Sequence, residues 1–445
     1  MSIIHSLLRK LGGKEDSLKY ANNAIWLFSE KGLRALEAFL VGLWIARYLG
    51  PEDFGLLNYA YSFVFLFTAI ATLGLDQIVV KDLVNKGASR DVILGTTLGL
   101  RAMGFVLMSL LVFLVLTILE ASGQVDNLIW IITLSVLFQS FNGIDFYFQS
   151  KVESKYITWV NMTMVIISAC VKMALILKGA EIIYFAWVYC LETAICALGY
   201  VYFYRREGLS IQKWKFDWTI AKSLLSRSWF LIVGTIATAI YMKIDQVMIK
   251  DIIDNRAAGL YSAAVKACSI WLFVTVVITQ SIFPSLVKLK KKSQELFLNQ
   301  LQHLYNVLVK IAVIACIGYT LFADWIITFL FGVEYAESSG IMTIYIWSVI
   351  FVFLSNGSWG FYLNENLEKF SSIRLIIGAI INVILNLIFI ERLGLLGAAY
   401  ATLISYSISG YFVNALFKKT RPNFTLQTHS LLNFLNIKTW IKPLG

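Results

Sequence analysis

The sequence predicts an all-α integral membrane protein with 12 transmembrane helices in two pseudo-symmetric six-helix lobes. Hydrophobic residues make up 58% of the 445 residues and charged residues only 15%, well below the roughly 25% of soluble globular chains. The apolar segments are continuous and about 20 residues long, which suits membrane-spanning helices and not the alternating strands of a β-barrel. The two halves of the chain also follow the same order of apolar segments and charged turns.

The predicted spans are each long enough to cross a hydrocarbon core of about 30 Å at about 1.5 Å per helical residue. They lie at 22–47, 54–74, 92–118, 127–149, 156–178, 182–203, 228–249, 258–283, 305–331, 340–362, 371–390 and 394–417. The longest loop separates the sixth span from the seventh. The predicted regions are a cytoplasmic N-terminal lead-in (1–21), a first lobe (22–203), a cytoplasmic linker (204–227), a second lobe (228–417) and a cytoplasmic tail (418–445).

Basic residues outside the predicted spans collect on one side of the membrane. That side holds the N-terminus, every second loop and the tail, whereas the opposite side holds only Arg47, Lys178, Lys250, Arg256 and Arg392. Because Lys and Arg favour cytoplasmic loops, both termini are predicted to be cytoplasmic. The net charge of +11 follows from this bias, with a contribution from contacts to anionic membrane lipids, and it does not indicate a nucleic-acid partner.

An internal repeat relates the two lobes. A shift of 204 residues aligns LVGLWIARYLGPEDFGLLNYA with IDQVMIKDIIDNRAAGLYSAA without a gap, and it places Gly55 on Gly259. Two six-helix halves in parallel orientation indicate a pseudo-two-fold axis along the membrane normal, with a substrate path between the halves. The alternative is that any two membrane hairpins look alike.

Several charged residues lie at bilayer depth, where a charge is costly and faces a partner or a hydrated cavity. Glu30, Arg34 and Glu37 form one stripe on the first span, so Arg34 can pair with either carboxylate. Arg34, Arg101 and Lys266 lie roughly 12–18 Å from their helix starts, which makes contact with the headgroups difficult. We predict that these three are cavity cations that bind an anionic substrate; the alternative is a structural ion pair.

Other intramembrane charges fall into two groups. Lys172, Lys243, Lys310 and Arg374 lie nearer the helix ends, so their long side chains are expected to reach the headgroups. The carboxylates are candidates for binding a coupling H⁺ or Na⁺, and they are Glu30, Glu37, Asp145, Glu192 and Asp245. Glu192 is the most isolated of them, although a helix–helix hydrogen bond would also account for it.

The sequence gives no sign of a metal site, a cofactor or covalent catalysis. The five Cys lie inside apolar runs without a C-x-x-C pair, and the three His lie outside the predicted spans. No G-x-x-x-x-G-K-[ST] motif occurs, so nucleotide hydrolysis is not expected. We therefore expect no cofactor beyond a coupling ion.

Three stretches resemble the polysaccharide-unit flippases of the multidrug/oligosaccharidyl-lipid/polysaccharide (MOP) exporter superfamily. The opening hairpin is matched by IARYLGPEDFGLLNYAYSFV and LGLDQIVVKDL, and the seventh and eighth spans by KIDQVMIKDIIDNRAAGLYSAAVKACSIW and SIFPSL. The eleventh–twelfth hairpin is matched by GAIINVILNLIFIERLGLLGAAYATLISY, with its N-x-x-x-N and G-x-x-G-A-A patterns. Twelve spans make the chain most similar to the Wzx-type O-antigen or capsule-unit flippases, since lipid II flippases usually have two more.

This resemblance implies a MATE-like, V-shaped structure with a positively charged central cavity and alternating access. It implies transfer of an undecaprenyl-pyrophosphate-linked oligosaccharide from the cytoplasmic to the periplasmic leaflet of a bacterial inner membrane, with ion coupling and without enzymatic activity. Partners in that membrane would be lipids, a polysaccharide polymerase and a chain-length regulator.

The resemblance also bears on the candidate site. Related flippases place cavity cations at the positions of Arg34 and Lys266, which with Arg101 would attract the pyrophosphate. Polar and aromatic cavity residues would contact the sugars, and these are Asn58, Tyr61, Thr238 and Tyr241.

Two other function classes stay open. One is a MATE-like small-molecule or drug antiporter of the same fold. The other is a membrane enzyme such as a polysaccharide polymerase or ligase, which the short, His-free outer turns disfavour.

Overall fold

A computed structural model describes residues 14–85, 88–119 and 123–434 of the chain. No strand occurs among them. The helices are α1 (Lys14–Thr72), α2 (Asp76–Asn85), α3 (Arg90–Ile118), α4 (Gln124–Phe138), α5 (Gly143–Ser150), α6 (Lys155–Leu177), α7 (Ile182–Arg206), α8 (Trp218–Ile252), α9 (Asn255–Cys268), α10 (Ile270–Lys292), α11 (Gln294–Leu321), α12 (Ala323–Phe331), α13 (Ser338–Tyr345), α14 (Ser348–Asn364), α15 (Glu368–Leu393), α16 (Leu395–Ser407), α17 (Val413–Leu416) and α18 (Arg421–Phe434). Most of the predicted lead-in (1–13) and the end of the predicted tail (435–445) lie outside the described residues.

The predicted spans all fall on helical segments, which confirms the all-α membrane class. Among the described residues, nine helices are long and apolar enough to cross a membrane, or ten if the bent pair α13–α14 forms one span. The first two predicted spans are continuous in α1, and the last is divided among α16, a π-helical turn (Ile408–Phe412) and α17. The number twelve stays a prediction.

A kink at Gly50 separates the two predicted spans within α1. Gly50 has φ 71° and ψ 174°, a conformation that glycine adopts without the steric cost of a Cβ. Pro51 follows, and proline suits the first position of a helix because its missing N–H would have no intrahelical partner there. The sequence Gly50–Pro51 therefore ends one helical segment and begins the next.

The described residues divide into two compact units. The first unit contains the chain up to Ile45 and Phe63–Ile236. It includes the predicted linker (204–227), which is held by hydrogen bonds: the Lys215 N–H donates to the Asp91 carbonyl at 3.2 Å, and the Asp217 N–H donates to the Thr96 hydroxyl at 3.1 Å.

The second unit contains Ala46–Ser62 and the chain from Ala237 onward. The segment 46–62, predicted for the first lobe, packs here because the Tyr335 hydroxyl donates to the Ala46 carbonyl at 2.8 Å. The Arg47 guanidinium also donates to the Leu330 carbonyl at 2.9 Å. These bonds to residues far along the chain explain why the compact unit departs from the predicted lobe.

The described part of the predicted tail forms α18 within the second unit. Three polar side chains on α18 are buried, namely Asn423, Gln427 and Ser430. Asn423 accepts a hydrogen bond from the Tyr305 hydroxyl at 2.5 Å, and Gln427 donates to the Ser358 hydroxyl at 2.9 Å. Because buried polar groups are costly without partners, this network fixes α18 against α11 and α14.

Candidate functional site: two buried polar clusters

The predicted stripe on α1 forms an ion pair in the first unit. Both Nε and Nη2 of Arg34 lie 3.0 Å from Oε1 of Glu30, which confirms the prediction that Arg34 pairs with one of the two glutamates. Arg34 keeps 48% of its side-chain surface exposed, against 9% for Glu30. Since a guanidinium carries five N–H donors, this pairing leaves donors for another ligand.

Glu37 pairs with a residue far along the chain. Nζ of Lys172 on α6 lies 2.9 Å from Oε1 of Glu37 and 2.8 Å from Oε1 of Glu192 on α7. Glu192 also accepts a hydrogen bond from the Ser168 hydroxyl. The expectation that Lys172 reaches the headgroups is therefore wrong, because its ammonium joins three helices and its side chain is only 17% exposed.

Glu192 has a helix–helix hydrogen bond, which was the alternative expected beside an ion-coupling role. It is not isolated, since it contacts Lys172 and Ser168 on α6. We name Glu30, Arg34, Glu37, Lys172 and Glu192 the first-unit charge cluster. With every group ionised, the three carboxylates exceed the two cations by one charge.

Arg101 on α3 is buried, with only 2% of its side chain exposed. It forms an ion pair with Asp76 on α2, donates to the Gln139 carbonyl at 2.8 Å and lies 5.0 Å from the centre of the Phe146 ring. Arg101 was expected to be a cavity cation that binds substrate. Its guanidinium instead binds groups of its own unit, so the structure differs from this expectation. Asp145, half-buried on α5, directly precedes Phe146.

A cavity of about 270 Å³ opens beside the first-unit charge cluster; we name it the first-unit cavity. Its lining is Arg34, Gln139, Asn142, Met164, Tyr189, Glu192, Thr193, Cys196 and Tyr200. Five of these side chains follow a helical i, i+3, i+4, i+7, i+11 spacing on α7, so they share one face. The α7 residues at 189–200 occupy the middle of a helix of 25 residues, which puts this polar lining at bilayer depth.

The second unit buries a carboxylate among neutral donors. Asp245 on α8 is 5% exposed. Its Oδ1 accepts from the Asn386 amide at 2.5 Å, and its Oδ2 accepts from the Thr402 hydroxyl at 2.6 Å and the Tyr261 hydroxyl at 2.9 Å. The Asn386 amide also donates to Oδ1 of Asn382 at 3.2 Å. We name these five residues the Asp245 cluster.

The Asp245 cluster is rich in oxygen ligands. Oδ1 of Asn386 is buried and has no hydrogen-bond partner, and the oxygens of Asp245, Asn382 and Thr402 lie nearby. Hard cations prefer such carboxylate, amide and hydroxyl oxygens. Lys243 lies two residues before Asp245 on α8, about 200° away around the helix axis.

The remaining predicted site residues are dispersed within the second unit, where Thr238 and Tyr241 lie on α8. Lys266 is half-buried on α9, with Nζ 5.9 Å from the centre of the Phe54 ring. The Asn58 amide donates to the Phe54 carbonyl at 2.7 Å, one turn earlier. Tyr61 and Thr238 are half-buried.

Tyr241 differs from the expected sugar contact. It is buried, its hydroxyl lies 2.6 Å from the Ser409 hydroxyl, and its ring stacks on Tyr406 at 4.3 Å. One face of its ring and its polar tip therefore already have partners in the core of the second unit.

Sequence reasoning missed Lys172 as part of a site, as well as the partners of Asp245 and most of the cavity lining. The sequence did contain a signal for two residues of the Asp245 cluster. Asn382 and Asn386 form the N-x-x-x-N pattern on α15, and an i, i+4 spacing places both amides on one helix face. The polar face of α7 could have been found in the same way.

Comparison with known proteins identifies the family. The model of the family described as "Polysaccharide biosynthesis protein" matches residues 20–290, which is more than half of the chain. The chain belongs to this family. A curated relative, the "Probable low-salt glycan biosynthesis flippase Agl15" of Haloferax volcanii, is 24% identical over 228 residues. That alignment covers 51% of this chain and 45% of the relative, so the chain spans less than half of the relative's length.

Two solved structures share the fold of this chain. A structure titled "Lipid II flippase MurJ, inward closed conformation" matches with a TM-score of 0.66 and 16% identity, over 95% of this chain and 93% of that one. An inward-facing multidrug resistance MATE family transporter matches with a TM-score of 0.64 and 12% identity, over 92% and 96%. The resemblance inferred from the sequence is thus confirmed at the level of the superfamily fold.

Proposed function

We propose that the protein is a flippase that moves an undecaprenyl-pyrophosphate-linked oligosaccharide, an O-antigen or capsule repeat unit, between membrane leaflets. The direction would be from the cytoplasmic to the periplasmic leaflet of a bacterial inner membrane, by alternating access. The observation that carries this proposal is the polar first-unit cavity halfway along an apolar helix. A hydrophilic headgroup needs such a lining to cross a bilayer core, because unpaired polar groups are costly there. Membership of the polysaccharide biosynthesis family supports a glycan as the group that the transported lipid carries.

Two of the predicted cations stay candidates for binding the diphosphate. Arg34 in the first unit is half-exposed and retains N–H donors, and guanidinium matches phosphate oxygens well. Lys266 in the second unit is half-buried. Arg101 is not one of these cations, because its guanidinium already binds Asp76 and the Gln139 carbonyl.

Ion coupling is proposed at Asp245. Three neutral donors contact its carboxylate. A buried charge without a cationic partner is costly, so binding of Na⁺ would offset part of that cost. Of the other candidate carboxylates, Glu30, Glu37 and Glu192 already contact cations, which makes them weaker candidates.

A transport assay with purified protein in proteoliposomes tests the proposal. The probe is undecaprenyl diphosphate carrying N-acetylglucosamine. A membrane-impermeant lectin detects the probe molecules that reach the leaflet on the lectin's side of the membrane. We expect faster transfer than in protein-free vesicles, and loss of the increase in the double variant Arg34→Ala, Lys266→Ala. A rate equal to that of protein-free vesicles would contradict the flippase proposal.

A second candidate function is a MATE-like antiporter of small cations. The observation that favours it is the excess carboxylate in the first-unit charge cluster, since a net negative site suits a cationic ligand. Efflux of a cationic dye such as ethidium from the same vesicles, without transfer of the glycolipid, would favour this function.

A further inference from the structure

The first-unit cavity presents both hydrogen-bond donors and acceptors. Gln139 and Asn142 line it with amide groups, Tyr189 and Thr193 with hydroxyls, and Glu192 with a carboxylate. An amide or a hydroxyl can donate and accept, whereas a carboxylate only accepts. This mixture complements the hydroxyl and acetamido groups of a sugar, each of which also donates and accepts.

The size of the cavity limits the ligand to a fragment. Its volume of about 270 Å³ lies just below the roughly 300–1,000 Å³ of pockets that bury a drug-sized molecule. A single sugar ring is of suitable size, while a prenyl tail or an oligosaccharide would remain outside.

The charge of the lining argues against a diphosphate inside the cavity. Glu192 lines it directly, and the first-unit charge cluster as a whole carries one excess negative charge when ionised. A diphosphate would bring further negative charge next to these carboxylates, where like charges at short range repel. Among the described residues that line the cavity, Arg34 is the one cation, so an anion would be restricted to the part of the cavity beside it.

Three contacts hold the lining in place. Lys172 and Ser168 both contact Oε1 of Glu192, and a carboxylate has about four acceptor positions over its two oxygens. The Tyr200 hydroxyl donates to Asn161 at 2.8 Å, which fixes a ring that can pack against the apolar face of a sugar. A lining held in place in this way binds with less loss of side-chain entropy.

We infer that the first-unit cavity is the subsite for one uncharged sugar of the lipid-linked glycan, with Glu192 and Thr193 accepting hydrogen bonds from its hydroxyls. This inference rests on the proposed flippase function. The diphosphate lies outside the cavity, at most in contact with Arg34.

Native cysteines provide a direct test. Cys196 lines the cavity, whereas Cys170 on α6 is exposed and does not line it. The other three, Cys190, Cys268 and Cys316, are replaced by Ala in the full-length chain. The remaining two are labelled with N-ethylmaleimide in the presence of undecaprenyl diphosphate with or without one N-acetylglucosamine. We expect the sugar-bearing lipid to slow labelling of Cys196 and not of Cys170, and the sugarless lipid to leave both rates unchanged.

A matched pair of variants tests the polar contact. Thr193→Val removes a hydroxyl at the lining, and Thr117→Val removes a hydroxyl with the same kind of intrahelical bond on the exposed face of α3. Loss of one neutral hydrogen bond corresponds to about two- to tenfold in affinity. We expect Thr193→Val to weaken binding of the sugar-bearing lipid by that factor, with no change for the sugarless lipid, and Thr117→Val to change neither.

The outcomes separate the subsite from the flippase proposal. Equal protection of Cys196 by both lipids, or equal affinity of both lipids for the wild-type chain, would overturn the sugar subsite while leaving a lipid-diphosphate transporter in place. If neither lipid binds, the proposed function itself fails.

Discussion

Gly55 and Gly259, which the 204-residue repeat aligns with each other, are in direct backbone contact in the second unit. A Cβ on Gly55 would lie 1.9 Å from the Asn255 carbonyl oxygen, and a Cβ on Gly259 would lie 1.8 Å from the Pro51 carbonyl oxygen. Small residues let helices approach to this distance. Both glycines and the backbone they meet lie within the second unit, so this close approach is part of the packing of that unit.

We predict that Gly55→Ala or Gly259→Ala destabilises the protein. The obstacle to the new Cβ is backbone, so the two segments must separate, and overpacking of this kind costs about 1–3 kcal/mol. Thermal unfolding of the purified protein measures the loss. Gly318→Ala on α11 is the matched control, because a Cβ there meets nothing within 4 Å, and alanine favours the helix by up to about 1 kcal/mol. Equal melting temperatures for the two kinds of variant would contradict the backbone contact.

We predict that Lys172→Met is strongly destabilising. It leaves Glu37 and Glu192, whose side chains are only 12% and 17% exposed, without their shared cation. Removing one partner of a buried pair costs about 3–5 kcal/mol. Denaturation of the purified variant reports this loss, and adding Glu37→Gln and Glu192→Gln should recover much of it. Arg256→Met serves as the control, since its pair with Glu337 is exposed and such pairs contribute about 0–1 kcal/mol. A similar loss in both variants would show that Lys172 is not a buried bridge.

Arg101 and Arg34 are predicted to behave in opposite ways. Arg101→Gln should lower the melting temperature, because Asp76 and the Gln139 carbonyl lose their partner, while affinity for undecaprenyl diphosphate stays unchanged. Arg34→Gln should leave the melting temperature nearly unchanged, because its side chain is half-exposed, and should weaken binding of that lipid. The affinity for undecaprenyl diphosphate and the melting temperature, both measured on each variant, test this prediction. If Arg101→Gln instead weakened lipid binding and left the melting temperature unchanged, while Arg34→Gln did the opposite, Arg101 would be the cavity cation expected from the sequence.

Asp245→Asn is predicted to abolish stabilisation by Na⁺. A ligand at 100 times its Kd stabilises the folded state by about 2.7 kcal/mol, so the wild-type melting temperature should rise with NaCl relative to choline chloride at equal ionic strength. Asp324→Asn, at an exposed position near the start of α12, should keep that rise. If Asp245→Asn responds to Na⁺ as the wild type does, the cation does not bind at the Asp245 cluster.

Sequence reasoning succeeded where the information is local. The i, i+4 spacing of Glu30 and Arg34 predicts their ion pair, and the structure has it. Depth along a helix was a poorer guide, because it assigned Lys172 to the headgroups and Arg101 to a substrate cavity. Depth gives the distance to the membrane surface, but it does not say which neighbouring helix presents a carboxylate.

The sequence by itself determined the membrane class, the helices, the repeat and the set of residues whose charge is out of place in lipid, because these depend on composition and helical period. Only the tertiary structure decided the pairings. Lys172 meets Glu37 across 135 residues, and Asp245 meets Asn386 and Thr402 across 141 and 157 residues. A buried charge takes whichever partner helix packing brings within hydrogen-bonding distance, and that packing depends on contacts spread over the whole unit.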